Sequence, residues 1–351
     1  MIQKKSRIIW VDVVKYICII MVILSHLEAN TDVWNIFYSP FFLSGFFFVA
    51  GYVYGPKESF RKTMYKKIRQ LFIPWLIFSV FNILLSHLIS FNQHENLITE
   101  LKWNFLQIRG KGDELWFIAA LFIAFIPFYY FINWYEKKHK WIVALIISWI
   151  FSFASIMYSR LMPAEVFPWN SSSLPWHIEF VFQAMFYMVC GYVFRKEFEE
   201  KLDRYNILCI RICVVIIYLM IVFVPYFGGI EFPLIIDVLY DIFQALIGIM
   251  AIVMISKTIK SNQYINFTGR NTLIYFALHG KVYSIMQAAL KKYAGTIYYL
   301  ILGNTISSSF FALILSICIS IILIVPAYII NKFFPFLIGK SSGVVSFKCS
   351  R

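Results

Sequence analysis

Ile8-Ile9-Trp10-Val11-Asp12-Val13-Val14-Lys15-Tyr16-Ile17-Cys18-Ile19-Ile20-Met21-Val22-Ile23-Leu24-Ser25-His26-Leu27 is apolar but for Asp12, Lys15, Ser25 and His26. About 20 apolar residues carry a helix across the hydrocarbon core of a bilayer, so this segment reads as a membrane span. Lys4, Lys5 and Arg7 precede it like the basic start of a secretory leader. No small-x-small cleavage site follows, however, and Asp12 and Lys15 interrupt the run, so it reads as a retained first span.

Working outward, the same apolar texture fills the chain. Of its 351 residues 60% are hydrophobic and only 14% charged, with mean hydropathy +0.72; soluble domains carry roughly 25% charged residues. Ten apolar segments follow one another at 8–28, 36–55, 71–91, 115–133, 141–160, 176–194, 207–227, 235–256, 271–290 and 306–331. The expected fold class is therefore an all-α integral membrane protein, a single bundle of about ten transmembrane helices within one domain, 1–351. The net charge of +14 has no soluble basic module to hold it, which argues against nucleic acid as a partner. Most of the 32 lysines and arginines fall instead before span 1 and in the segments 57–70, 134–140, 195–211, 257–270 and 332–351. Positive loops stay in the cytoplasm, so both termini are expected there, in a multi-pass protein of a bacterial plasma membrane. The six cysteines show no C-x-x-C spacing and read as small packing residues, with no metal site expected.

Titratable groups inside a span are costly and face the bundle interior. Lys15 and His26 are eleven residues apart, so an ideal helix returns them to within about 20° of one another and roughly 16 Å apart along the axis. Asp12, three residues before Lys15, joins the same stripe. A snorkelling lysine and a packing histidine would explain the pattern without function; a basic anchor for an anionic donor, with an imidazole at the donor's reactive end, would explain it with one. His279 lies in a later span and alone reads as a structural histidine as readily as a catalytic one. Segment 57–70, with Lys66 and Arg69, suits positive-inside anchoring or a phosphate-binding wall. No Walker A, G-x-G-x-x-G or H-E-x-x-H motif occurs, which sets aside ATP-driven pumps and zinc proteases.

Several of these features together resemble the acyltransferase-3 family of membrane O-acyltransferases, and within it the branch that acylates sugars and polysaccharides. Lys15 through His26 is similar to its basic residue–ten residues–histidine signature, with Lys for the commoner Arg. Phe41-Phe42-Leu43-Ser44-Gly45-Phe46 resembles F-F-x-x-S-G-Y, and Lys66-Lys67-Ile68-Arg69 before Pro74 resembles R-x-x-R-x-x-x-P. Leu115-Trp116-Phe117-Ile118 is similar to L-W-F-L, and Phe186 to Tyr192 to F-F-x-x-G-Y. Gly269-Arg270-Asn271-Thr272-Leu273, with Tyr275 and His279, resembles G-x-x-S-L-x-x-Y-x-x-H. Lysine cannot fork onto phosphate or carboxylate as arginine does, so donor contacts are expected to differ.

The resemblance implies a cytosolic acyl-CoA donor, acetyl-CoA in the first instance. Lys15, Lys66 and Arg69 would supply its basic binding groups, and Asp12 would hold Lys15. His26 would be the general base on a sugar hydroxyl or a transient acyl carrier, with His279 assisting or orienting. The acceptor would be a cell-envelope or capsular polysaccharide or a lipid-linked glycan, reached from the side where Glu28 and loops 92–114 and 160–175 lie. A carrier of a lipid-linked saccharide or small anion would also use intramembrane Lys and His, but matched Gly/Pro-broken halves are not evident. A purely structural envelope protein would have no need of Lys15 and His26 on one face.

Overall fold

The computed structural model describes residues 8–340 except 57, 90–95 and 113–114. Lys4, Lys5, Arg7, Lys57, Lys348, Arg351, Cys349 and part of loop 92–114 lie outside the described residues. Along the chain run α1 (Ile9–Ser25), α2 (Asp32–Tyr38), α3 (Phe42–Tyr52), α4 (Phe60–Lys67), α5 (Ile73–Ile89), α6 (Leu97–Leu106), α7 (Trp116–Lys138) and α8 (Trp141–Leu161). They continue as α9 (Ile178–Val193), α10 (Glu199–Tyr205), α11 (Leu208–Gly228), α12 (Leu234–Ser256), α13 (Gln263–Arg270), α14 (Thr272–Leu302), α15 (Thr305–Ile322) and α16 (Ile324–Phe333). The described residues contain no strand. Two π-helical turns, Ile68–Phe72 and Phe194–Phe198, join α4 to α5 and α9 to α10.

Among the described residues eight helical stretches are long and apolar enough to cross a membrane, and they coincide with eight of the ten segments expected. The other two are helical as well but differ in kind. α1 has 17 residues. α14 has 31, yet it carries Lys281, Gln287, Lys291, Lys292 and a succession of tyrosines. Short helices α4 and α10 fall where only loops were expected, as do α6 and α13. The last two each begin at an asparagine whose side chain accepts from a backbone N–H of the first turn: Asn96 from Ile98 and Asn262 from Ile265. That is N-cap chemistry.

The helices sort into two compact units. The first comprises Met1–Val53 and Cys190–Ile324, and α1 is its core element, packed on α3, α12, α13, α14 and α15. Val13, Val14, Cys18, Ile19, Ile23 and Leu24 of α1 are fully buried. A helix apolar on every side belongs at a centre. α13 crosses α1 so closely that a Cβ at Gly269 would sit 2.1 Å from the Asp12 carbonyl oxygen; only glycine fits there. On α11, by contrast, Leu208, Ile212, Ile216, Met220, Val224 and Phe227 all point outward. In water such a face would be a liability; against acyl chains it is the expected surface.

The second unit comprises Tyr54–Val189 and the chain from Val325 onward. Trp75 is fully buried, with its ring centroid 5.5 Å from that of Phe72 and 4.8 Å from that of Trp176. Trp176 and the buried His177 both have positive φ, 61° and 52°, which costs a non-glycine residue conformational energy. Glu179 holds this corner: Ser173 Oγ donates to its Oε1 and the Leu174 N–H to its Oε2, each at 2.9 Å. Near the end of the described chain Gly339 takes φ +67°, and a Cβ there would fall 2.3 Å from the Arg69 carbonyl oxygen.

Candidate active site

The polar groups of α1 fall into two clusters, one towards each end of the helix. At the N-terminal end Asp12 is almost wholly buried. A carboxylate taken out of water needs compensating charge, and two cations provide it. Lys15 Nζ lies 3.3 Å from Oδ1, one helical turn along, and Arg270 Nε lies 3.6 Å from Oδ2. Arg270 reaches Asp12 because Gly269, its neighbour, lets α13 touch the α1 backbone. Lys15 and Arg270 keep part of their surface exposed, 24% and 47% of the side chain. Two cations around one carboxylate leave net positive charge there.

At the other end α1 stops at Ser25, with His26 as its C-cap. His26 Nδ1 is 2.8 Å from the Val22 carbonyl oxygen. A carbonyl only accepts, so Nδ1 carries the hydrogen and Nε2 of the neutral ring keeps its lone pair. Ser25 Oγ donates to the same carbonyl at 2.8 Å and lies 3.1 Å from Nδ1, closing a local triangle. His279, in the second turn of α14, is held in the same way. Its Nδ1 donates to the carbonyl oxygens of Phe276 at 2.9 Å and Tyr275 at 3.1 Å. Its Nε2 is buried without a hydrogen-bond partner. The two imidazoles meet edge to face, 4.7 Å between centroids. Both rings thus turn Nδ1–H to a backbone carbonyl and leave Nε2 as the atom that can meet a ligand.

The remaining basic groups singled out from sequence lie in the second unit. Lys66, mostly exposed, is held by Glu58, with Nζ 2.5 Å from Oε1. Its neighbour Lys67 turns inward, with Nζ 3.6 Å from the centre of the Phe125 ring. Arg69 sits in the π-helical turn Ile68–Phe72, and such turns often mark functional positions in helices. Arg61 and Lys62 extend the same basic segment. The charge balance around Glu58 is strongly positive, which fits a phosphate-bearing ligand.

The structure thus brings Asp12 to Lys15 and His26 to His279, while Lys66 and Arg69 belong to a different unit from those four. Two cations stand out in the structure that sequence reading does not single out. Arg270 was seen as one of the loop cations and a motif position, although the adjacent Gly269 was the signal for a close helix contact. Lys67 was passed over for Lys66, and nothing in the spacing distinguishes the inward residue of a Lys-Lys pair. Among the described residues no cluster of three or more His, Cys, Asp or Glu side chains is placed to hold a metal ion.

No curated protein and no solved structure matches the chain. A family model described as an acyltransferase domain, that of acyltransferase-3, matches residues 8–325 and so takes in both clusters of α1, the basic segment and His279. The chain is therefore a multi-pass membrane protein that belongs to the acyltransferase-3 family.

Proposed function

We propose that this protein moves an acyl group, acetyl in the first instance, from cytosolic acyl-CoA to a hydroxyl of a cell-envelope or capsular polysaccharide sugar. The observation that carries the reading is the His26–His279 pair, with both rings fixed as the Nδ1–H tautomer and 4.7 Å apart. A hydroxyl oxygen attacks the thioester carbonyl carbon, the C–S bond breaks, and the thiolate of CoA leaves. The hydroxyl proton passes to the Nε2 of His26 and from there to the leaving thiolate. One imidazole nitrogen that takes a proton and gives it back serves both transfers. His279 accepts a hydrogen bond at its Nε2 and orients the acceptor or the partner ring. Lys15, Lys66 and Arg69 are the groups we assign to the donor's phosphates; Arg270 joins Lys15 beside Asp12, which sets the position of Lys15.

The test compares envelope polysaccharides by mass spectrometry from cells with and without the protein, together with transfer from isotope-labelled acetyl-CoA in native membrane vesicles. The reading expects glycan acyl esters that depend on the protein and carry the label. Glycans identical in the two strains, with no transfer of label, overturn it.

A further inference from the structure

Past His26 the chain is tied to α14 a second time, by a cluster that the proposed chemistry does not use. The face of α14 that carries His279 repeats every four residues: His279, Tyr283, Gln287, Lys291. Residues four apart stack on one side of a helix, and each of the last three reaches Glu28. The Glu28 N–H donates to Tyr283 Oη at 2.7 Å. Its carboxylate Oε2 accepts from Gln287 Nε2 at 2.6 Å and from Tyr298 Oη at 2.8 Å, and Lys291 Nζ lies 2.9 Å away. Gln287 Nε2 also donates to Tyr283 Oη at 3.1 Å. Tyr283 and Tyr298 are buried, so their hydroxyls need these partners. One residue further on, Ser308 Oγ of α15 donates to the Ala29 carbonyl at 2.8 Å.

His26 needs such a support. It stands beyond the last turn of α1, where helix ends fray, and its own hydrogen bonds reach back to Val22, Ile23 and Ser25 of the same helix. The bond to Val22 sets its tautomer; none of them fixes its distance from α14. A one-residue slip of the chain after Ser25 would carry the ring away from His279.

We infer that Glu28 is a positioning residue, whose hydrogen bonds to Tyr283, Gln287, Lys291 and Tyr298 fix the register of the α1 C-terminal end on α14 and so hold His26 against His279. The kinetic consequence rests on the acyl transfer proposed above; the structural one stands apart from it. Donor binding belongs to other residues, so loss of Glu28 acts on the rate at saturating donor. A misplacement of about 1 Å at a reacting group costs up to about 10²-fold.

The experiment uses the full chain in native membrane vesicles at matched levels, with acetyl-CoA turnover on the endogenous acceptor, and amide hydrogen exchange of residues 24–30 in purified protein. Glu28→Ala should lower the saturated rate about 10- to 100-fold, leave half-saturating acetyl-CoA unchanged, and speed exchange across 24–30. Glu28→Gln keeps an oxygen that accepts from the same donors. It should stay within about fivefold of wild type, because a half-exposed ion pair contributes little, and should exchange like wild type. A Glu28→Ala protein with the wild-type rate overturns the inference, as does one whose rate falls while exchange at 24–30 stays unchanged. Equal losses in the Ala and Gln variants also overturn it. Should wild type itself turn over no acetyl-CoA, the transferase reading fails, and the exchange comparison alone decides whether Glu28 holds the α1 end.

Discussion

At the residue scale the two ends of α1 ask for different experiments. His26 lies roughly 16 Å from Lys15 along the helix, too far to share its ligand atoms, so His26→Ala should abolish transfer and leave donor binding intact. Loss of a general base costs about 10²- to 10⁴-fold; glycan acetylation at the wild-type level in cells expressing His26→Ala would end the mechanism. At the other end, Lys15→Glu places a second carboxylate beside the buried Asp12 and removes one of its two cations. CoA binding measured by calorimetry should fall sharply in Lys15→Glu and persist in Lys15→Arg. Unchanged affinity in Lys15→Glu would make Lys15 an anchor for Asp12 and nothing more. The Asp12–Lys15 pair was legible in sequence, since helical spacing alone sets it. The meeting of His26 with His279 was not: it joins residues 253 positions apart, and no local period encodes which two spans touch.

At the scale of elements, the apolar runs located the helices and mislaid their details, for a physical reason. Hydropathy reports what faces lipid or core, so it finds α5, α7 or α11. It is silent on short polar helices such as α13, which are set by an asparagine cap and a tight crossing. Nor does it foresee the π-helical turns at Ile68–Phe72 and Phe194–Phe198, each an extra residue absorbed within a continuous apolar or basic run. The α13–α1 crossing gives a direct check. Gly269→Val would press a side chain into the Asp12 carbonyl, already only 2.1 Å from a bare Cβ. Overpacking of this kind costs about 1–3 kcal/mol or more, and separating α13 from α1 would also withdraw Arg270 from Asp12. Gly280→Ala is the contrast: nothing lies within 4 Å of a Cβ there, and alanine favours a helix interior by up to about 1 kcal/mol. Thermal unfolding in detergent should drop for Gly269→Val and hold or rise for Gly280→Ala. Equal midpoints for the two would show that the crossing does not depend on the missing side chain.

At the scale of the whole molecule, topology rests on charge. Eight apolar helical stretches among the described residues are long enough to span, and an even number of crossings is also reached if α1 and the first half of α14 cross with them. The assignment of α1 and α14 is the one that matters, because the proposed chemistry runs along α1 from a donor end to an acceptor end. α1 is short and α14 rich in polar groups, but the titratable groups of α1 are compensated, Asp12 by Lys15 and Arg270, and His26 meets His279. Pairing lowers the cost of holding polar groups at membrane depth, so ten crossings with cytoplasmic termini are the expectation. Position 110, between α6 and α7, then faces outward, and position 200, in α10, faces the cytoplasm. Gly110→Cys and Glu200→Cys, each made alone, should react with a membrane-impermeant thiol reagent from opposite sides, with wild type as the background for the native cysteines. Gly110 has φ +79°, so the substitution there should first pass an expression check. If both positions label from one side, the number of crossings between them is even and the ten-crossing topology is overturned.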